Sequence, residues 1–236
     1  MDKGVLYICY DSQRQEVKIP YIEELKRSIF SLRDSGCNLP ITVYTDGLVK
    51  EEDVQGLNNV SVVTKEYISS TYPNESRVDI HNRGFTISKL YCFRDLPYDV
   101  TIFADTDTQF LDDPSCLISE DVDLAICREV FYINSWTLQG DVPLPRSEKI
   151  KIITSQLTRR FNSGFFVARK TEPFNALIDK AIEIAEEEGI KQDQLPINLA
   201  FCYIGDITVK VLSQQWNTRG QFGKSIKNPK MIHQRE

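Results

Sequence analysis

The sequence lacks any apolar run close to the length of about 18 residues that a bilayer-spanning helix needs. It also lacks an excess of positive charge, because 28 Lys and Arg residues face 34 Asp and Glu residues, for a formal net charge of −6. That sign disfavours a chain that coats nucleic acid or anionic lipid. The start of the chain, Met1–Gly4, shows no signal-peptide cleavage pattern. We therefore expect a soluble, cytoplasmic protein with no membrane span and no nucleic-acid partner.

Paired cysteine motifs are also missing. The six cysteines lie far apart, form no C-x-x-C pair and mostly occur inside apolar runs. We expect buried free thiols rather than disulfides or a zinc site, which is typical of a reducing compartment. With 236 residues, of which 41% are hydrophobic, the chain is long enough to bury a core without such cross-links.

Short β-rich runs alternate with helical patterns along the chain. The predicted strands are Val5–Tyr10, Ile41–Thr45, Val60–Val63, Val100–Ala104, Asp123–Cys127, Gly164–Ala168 and Ile207–Leu212, and the predicted helices are Pro20–Leu32, Thr86–Arg94, Phe174–Glu188 and Asp193–Phe201. This alternation predicts an α/β fold with a mostly parallel central sheet. No repeat or low-complexity linker interrupts it, so we expect a single domain over residues 1–236.

Two carboxylates follow one of the predicted strands directly. Asp105 and Asp107 come after Val100–Ala104, where a strand of an open α/β sheet ends and where ligands bind in such sheets. Carboxylates two residues apart in extended backbone project to the same side, and a hard divalent cation prefers oxygen ligands while also holding phosphate oxygens. We interpret the pair as a metal-diphosphate site. A second D-x-D, Asp121 and Asp123, precedes an apolar strand, so we interpret it as a solvated turn or strand start.

Several short segments occur in a specific order and spacing along almost the whole chain. They are Ser88–Phe93, Phe103–Thr108, Phe161–Val167, Asp193 and Gln194 followed by Asn198, Trp216 and Asn217, and Met231–His233. Together they resemble the nucleotide-sugar-dependent glycosyltransferases of GT-A fold, and within these the glycogenin-like retaining group. The resemblance implies a Rossmann-like GT-A domain and a hexosyl- or pentosyltransferase of glycan biosynthesis.

The resemblance also implies the reactants. A sugar would move from a nucleoside diphosphate, with UDP as the preferred nucleotide, to a hydroxyl group of a glycan, a glycoprotein or another acceptor. Retention is the preferred stereochemistry. After the first strand, the family commonly carries a Thr-Asn-Asp-x-Tyr type of segment for the nucleoside. This chain has Cys9, Tyr10 and Asp11 there, so the identity of the base stays open.

In such enzymes, Asp105 and Asp107 would hold Mn²⁺ or Mg²⁺ on the donor diphosphate, with His233 as a third protein ligand. An imidazole beside two carboxylates suits Mn²⁺ better than a purely hard ion. The resemblance assigns Asp193 and Gln194 to the donor sugar as catalytic residues. A retaining enzyme needs a nucleophile or a stabiliser of an oxocarbenium ion at that position.

The remaining expected contacts are to the donor. Lys89 would face the donor phosphates or be an ordinary exposed helix lysine, and Arg83 would face the nucleotide or be a solvated loop residue. Gly164 permits close approach of the backbone to a ligand, although an ordinary turn would use the same residue. The full expected donor and nucleotide set is Cys9, Tyr10, Asp11, Arg83, Lys89, Asp105, Thr106, Asn162, Ser163 and Gly164.

Two other functions are alternatives. Asp105 and Asp107 after an apolar strand also resemble the nucleophile and general acid of haloacid-dehalogenase-type phosphatases, with Asp206 in the place of a later metal motif. Those enzymes usually place their first motif near the N-terminus, which disfavours this interpretation. A catalytically inactive sugar-nucleotide-binding module is the other alternative. Tyr132 and Trp136 are candidates for stacking on an acceptor sugar.

Overall fold

Ten strands and four helices have described bounds in the computed structural model, which describes residues 1–10, 20–66, 87–129, 147, 149–150, 153, 160–190, 192–219 and 226–233. The strands are β1 (Lys3–Cys9), β2 (Ile41–Thr45), β3 (Val60–Thr64), β4 (Val100–Ala104), β5 (Thr108–Phe110), β6 (Leu124–Arg128), β7 (Phe161–Arg169), β8 (Val209–Leu212), β9 (Thr218–Arg219) and β10 (Met231–His233). The helices are α1 (Tyr21–Asp34), α2 (Ser88–Arg94), α3 (Glu172–Glu188) and α4 (Gln194–Ala200).

Seven strands form the central sheet, in the order β3-β2-β1-β4-β7-β6-β8. Only β7 runs against its neighbours among these strands, and the other pairs are parallel. This confirms the predicted α/β class with a mostly parallel sheet. Because β1, β4 and β6 point the same way, the residues that follow them leave the sheet at one edge. Asp105 leaves β4 at this carboxyl edge.

Strand β1 is buried on both faces, as its continuous apolar run predicts. Leu6 and Ile8 pack into a core with α2, α3 and α4. Val5, Tyr7 and Cys9 belong to a second core on the other face, with α1. Successive side chains of a strand point to opposite faces, so one short run supplies both layers. The sheet thus has helices packed against both of its faces.

Helix α3 ends where its sequence predicts and begins two residues earlier. The Thr171 hydroxyl caps its first turn by accepting a hydrogen bond from Phe174 N. Pro173 lies in that first turn, where no backbone N–H is needed. Gly189 ends the helix with φ 67°, a left-handed conformation that glycine adopts at little cost. The apolar stripe predicted for this helix is buried in the core.

A second, three-stranded sheet was not predicted from the sequence. Its order is β5-β10-β9, and β10 pairs with β5 antiparallel and with β9 parallel. Each strand has only two or three residues, too few for an alternating pattern to be recognised. This sheet brings the end of the described chain, near residue 233, back to the turn that follows β4.

The cysteines of the structure are free thiols, as the sequence predicts. All six lie in the described part of the chain, and four of them are buried. Cys116 and Cys202 are exposed. Among the described helices, none combines the length and apolar character that crossing a bilayer requires.

The second D-x-D lies at a strand start, as predicted, and one of its carboxylates has a structural role. Asp123 accepts hydrogen bonds from Thr208 N (2.9 Å), Thr208 Oγ1 (2.6 Å) and Thr171 Oγ1 (2.8 Å). Burial would raise the pKa of Asp123, but these hydrogen bonds lower it below its usual value. Asp123 therefore ties the start of β6 to the start of α3 and to the segment before β8, whereas Asp121 is exposed.

We expect Asp123→Ala to lower the free energy of unfolding by about 3 kcal/mol, because three hydrogen bonds to a charged, buried carboxylate are lost. Urea denaturation followed by circular dichroism measures this change. Asp121→Ala is the matched control and should stay within about 0.5 kcal/mol of the wild type. Equal losses in the two variants would contradict the structural role of Asp123.

Candidate metal and donor site

Three side chains that are far apart in the sequence meet at the carboxyl end of β4. Asp105 follows β4, Asp107 precedes β5, and His233 ends β10 opposite Thr108 of β5. Nε2 of His233 lies 3.0 Å from Oδ1 of Asp107 and 3.5 Å from Oδ2 of Asp105. The ligand atoms of the three residues all lie within 4.8 Å of one another. The structure thus brings together the three residues that the resemblance implied as metal ligands, in a cluster that could hold a metal ion.

The side-chain atoms of Asp105, Asp107 and His233 fit a divalent cation. His233 is completely buried, and no group in the described part of the chain makes a hydrogen bond with its Nε2, although two carboxylates lie close by. Burial would lower the pKa of His233, but the charges of Asp107 and Asp105 raise it above its usual value. Two oxygen ligands and one imidazole nitrogen suit Mn²⁺. A cation between the three side chains would satisfy Nε2 and both carboxylates.

Lys89 balances the charge of Asp105. Its Nζ, from α2, lies 2.5 Å from Oδ1 of Asp105, and the two side chains are only 12% and 11% exposed. Burial would raise the pKa of Asp105, yet Lys89 and then His233 hold it well below its usual range. Burial would likewise lower the pKa of Lys89, but Asp105 and then Asp193 raise it. Lys89 is therefore a charged, nearly buried member of the site and not an exposed helix lysine.

Gly164 lies directly against two side chains of the cluster, Asp105 and His233. The carbonyl oxygen of Gly164, in β7, accepts a hydrogen bond of 2.8 Å from Asp105 N. A Cβ atom at this position would lie 2.3 Å from Cε1 of His233 and 2.8 Å from Oδ2 of Asp105. The sequence predicts a close approach at Gly164, and in the structure the groups that approach it are the side chains of His233 and Asp105.

The amides expected at the donor sugar form one hydrogen-bonded network around a buried carboxylate. Asn162 Nδ2 donates to Glu129 Oε2 (2.9 Å) and to Gln194 Oε1 (3.1 Å). Gln194 Nε2 donates to the same oxygen of Glu129 at 2.8 Å. Ser163 N lies 3.5 Å from Gln194 Oε1. Asn162, Ser163 and Gln194 are thus brought together as neighbours.

Sequence reasoning missed Glu129, Asn217 and Arg219 as site residues. Glu129 directly follows β6, so the strand-end position that pointed to Asp105 would also have pointed to it. Asn217 Nδ2 donates to Asn162 Oδ1 (2.8 Å), and Asn217 Oδ1 lies 3.1 Å from Nδ1 of His233. Arg219 lies 3.7 Å from Glu129 Oε2. Asn217 therefore connects the hydrogen-bonded amides of Asn162 and Gln194 to His233.

Asp193 and Tyr10 face the same region. Asp193 is 6% exposed and does not cap α4, although it stands at the start of that helix. Its charge acts on Lys89, as described above. Burial strongly raises the pKa of the Tyr10 phenol, which Lys89 partly offsets. Cys9 precedes Tyr10, and burial raises the pKa of its thiol to about 12 in the core facing α1.

Other expected residues are placed elsewhere or are not described. Thr106 lies in the turn between the two aspartates of the metal cluster. Asp11, Arg83, Tyr132 and Trp136 lie outside the described residues. Asp206, the later motif of the phosphatase alternative, precedes β8, which runs parallel to β6. It is therefore at the opposite edge of the sheet from the metal cluster.

We expect Gly164→Ala to displace His233 and Asp105, because the added Cβ would overlap both. The Mn²⁺ affinity should fall, and overpacking should lower the free energy of unfolding by about 1–3 kcal/mol. Manganese titration followed by electron paramagnetic resonance and urea denaturation measure the two effects. Gly205→Ala is the control, since its Cβ would enter open space. A normal Mn²⁺ affinity in Gly164→Ala would show that the cluster tolerates the added atom.

No protein-family model matches the chain, and no curated protein sequence matches it. Solved structures do match. The bifunctional glycosyltransferase WbbM matches with a TM-score of 0.64 and 16% identity, over 98% of this chain and 45% of its own. The galactosyltransferase LgtC, in complex with donor and acceptor sugar analogues, matches with a TM-score of 0.62 and 14% identity, over 98% and 86%.

Mouse xyloside xylosyltransferase 1 matches with a TM-score of 0.60 and 13% identity, over 99% of this chain and 98% of its own. The chain thus spans less than half of WbbM but nearly all of the mouse enzyme. At these identities the likeness is one of fold. The seven-stranded, mostly parallel sheet and its match to these enzymes over almost the whole chain identify a protein of the GT-A glycosyltransferase fold.

Proposed function

We propose that this chain is a metal-dependent glycosyltransferase that moves a sugar from a nucleoside diphosphate to a hydroxyl acceptor. The observation that carries the proposal is the cluster of Asp105, Asp107 and His233 at the carboxyl end of a central strand in a GT-A sheet. Ligands bind at this edge of open α/β sheets. We also propose that residues 1–236 form a single domain of this kind, because the described strands pair into one central sheet and one small sheet.

The three residues of the cluster would hold Mn²⁺, or alternatively Mg²⁺, against the donor diphosphate. When bound, the metal supplies neutralisation of the negative charge that develops on the departing diphosphate. Lys89 holds Asp105 in its ionised form and adds a positive charge beside the three residues of the cluster. We take UDP as the preferred nucleotide, with Tyr10, which directly follows β1, beside the base.

The sugar would lie between the metal cluster and the start of α4. There, Asp193 would stabilise positive charge at the anomeric carbon while Gln194, Asn162 and Ser163 contact sugar hydroxyls. The support is that Asp193 is nearly buried, does not cap its helix and acts on Lys89. A carboxylate on the face opposite the diphosphate suits retention.

The position of Asp206 disfavours the phosphatase alternative. The phosphatase alternative would need Asp206 near Asp105, and the two lie at opposite edges of the sheet. The structural neighbours include a galactosyltransferase and a xylosyltransferase. Hexosyl and pentosyl donors therefore both belong in the assays.

We expect UDP to bind in calorimetric titrations more tightly than GDP, ADP or CDP, and only with Mn²⁺ or Mg²⁺ present. EDTA should abolish the binding, because the diphosphate is held through the metal. Asp107→Asn should abolish it as well, since one of three ligands loses its charge. Asp121→Asn, the exposed member of the second D-x-D, is the matched control and should bind UDP normally. Equal effects of the two variants would refute the metal site.

We expect Asp193→Ala to lower the rate of sugar release from the donor by roughly 100- to 1000-fold, while UDP affinity changes little, because its charge acts in the transition state. Release of UDP from UDP-hexoses and UDP-pentoses, with water as the acceptor, measures the rate. Asp193→Asn keeps the shape of the side chain and removes its charge, so it should lower the rate as Asp193→Ala does. A variant that loses UDP affinity and keeps its turnover would contradict the proposed role.

A further inference from the structure

A chain of hydrogen bonds runs from Glu129 to His233, and it begins at a group that can only accept. The Glu129 side chain is 3% exposed and lies 3.7 Å from the guanidinium of Arg219. Arg160 lies close enough for the charge of Glu129 to counter the effect of burial, which lowers the pKa of Arg160. Two neighbouring guanidinium groups favour the ionised form of a carboxylate. An ionised carboxylate accepts hydrogen bonds and donates none.

Because the Glu129 carboxylate only accepts, it determines which end of each following amide donates a hydrogen bond and which end accepts one. Asn162 must turn its Nδ2 toward Glu129, so its Oδ1 faces the other way and accepts from Gly164 N (3.0 Å) and from Asn217 Nδ2 (2.8 Å). Asn217 therefore presents its Oδ1 to Nδ1 of His233, at 3.1 Å. Because an amide has one donor end and one acceptor end, each orientation forces the next. The Nδ1 atom of His233 has to carry the proton.

We propose that Glu129 is a positioning residue that acts through Asn162 and Asn217 to hold His233 in the tautomer protonated on Nδ1. In this tautomer the lone pair is on Nε2, which faces Asp105 and Asp107. The inference rests on the metal site of the proposed function. Histidines that bind metals commonly donate their other ring N–H to a partner that fixes the tautomer. Here a carboxylate does so at a distance, through two amides.

The hydrogen bonds from Glu129 to His233 oppose the attraction of two carboxylates for the ring proton of His233. Asp105 and Asp107 draw the ring proton toward Nε2, and a ring protonated there cannot bind a cation. The hydrogen bond from Nδ1 to Asn217 favours the other tautomer. The same oxygen of Glu129 also accepts from Gln194 Nε2, so this one carboxylate orients an amide on the sugar side as well as the metal ligand.

The first test uses Glu129→Gln, which keeps the shape and adds a donor, so that the Asn162 amide can turn. We expect the Mn²⁺ affinity of the protein without nucleotide to fall roughly tenfold to a hundredfold, as measured from the free-Mn²⁺ signal in electron paramagnetic resonance. The double variant Glu129→Gln/Asn217→Asp returns a carboxylate to the chain, next to Nδ1 of His233, and should recover most of the affinity. Asp121→Asn controls for the lost charge.

An unchanged affinity in Glu129→Gln would overturn the proposal, and so would a folded double variant without recovery. Circular dichroism melting curves establish folding. If Glu129→Gln does not fold, Asn217→Leu takes its place. That variant removes only the last link of the chain and should weaken Mn²⁺ binding by a similar factor. Normal binding in Asn217→Leu would likewise overturn the proposal.

The second test reads the tautomer directly and does not depend on sugar transfer. The chain has two histidines, His81 and His233, so His81→Gln leaves one ring to observe. In metal-free protein at a pH where the ring is neutral, long-range ¹⁵N NMR should show a protonated Nδ1. Adding Glu129→Gln, or Asn217→Leu in its place, should move the proton toward Nε2. A protonated Nε2 in the His81→Gln parent would overturn the proposal, whereas failure of UDP binding alone would refute only the donor site.

Discussion

A buried negative charge at the end of β4 is the constraint on which the rest of the site depends. Asp105 is 9% exposed, and an isolated carboxylate at that depth would take up a proton rather than stay charged. Lys89 and His233 keep it ionised. These two residues come from α2 and β10, so the charge can persist only when both elements are docked against β4. The site can therefore carry its negative charge only when the elements around it are folded in place.

Strand β7, which is the one antiparallel strand among the described strands of the central sheet, contributes directly to this site. Strand β7 places Gly164 beside Asp105, where its carbonyl oxygen accepts the Asp105 N–H. The missing side chain of Gly164 leaves space for the ring of His233. A methyl group at Gly164 would therefore overlap the ring of His233 and the carboxylate of Asp105, next to the hydrogen bond that joins β7 to the end of β4.

Two carboxylates that leave the sheet at the same edge have different tasks. Asp105 follows β4 and belongs to the cluster with Asp107 and His233, whereas Glu129 follows β6 and accepts hydrogen bonds from the amides of Asn162 and Gln194. The connection between them passes through Asn217 to His233. The cluster of Asp105, Asp107 and His233 and the amides of Asn162 and Gln194 therefore belong to one hydrogen-bonded network.

Local pattern in the sequence determined the α/β class, most strand and helix positions, and the carboxylate pair after β4, because apolar periodicity and strand-end position are properties of neighbouring residues. Motif order through a family resemblance pointed to His233 and to the start of α4. Only the tertiary structure decided the reversed direction of β7, the small sheet of β5, β9 and β10, and the contacts of Glu129 and Asn217. The small sheet depends on pairing between distant segments of two or three residues. The direction of β7 and the contacts of Glu129 and Asn217 also depend on residues far away in the sequence, so their energies come from the partner rather than from the local segment.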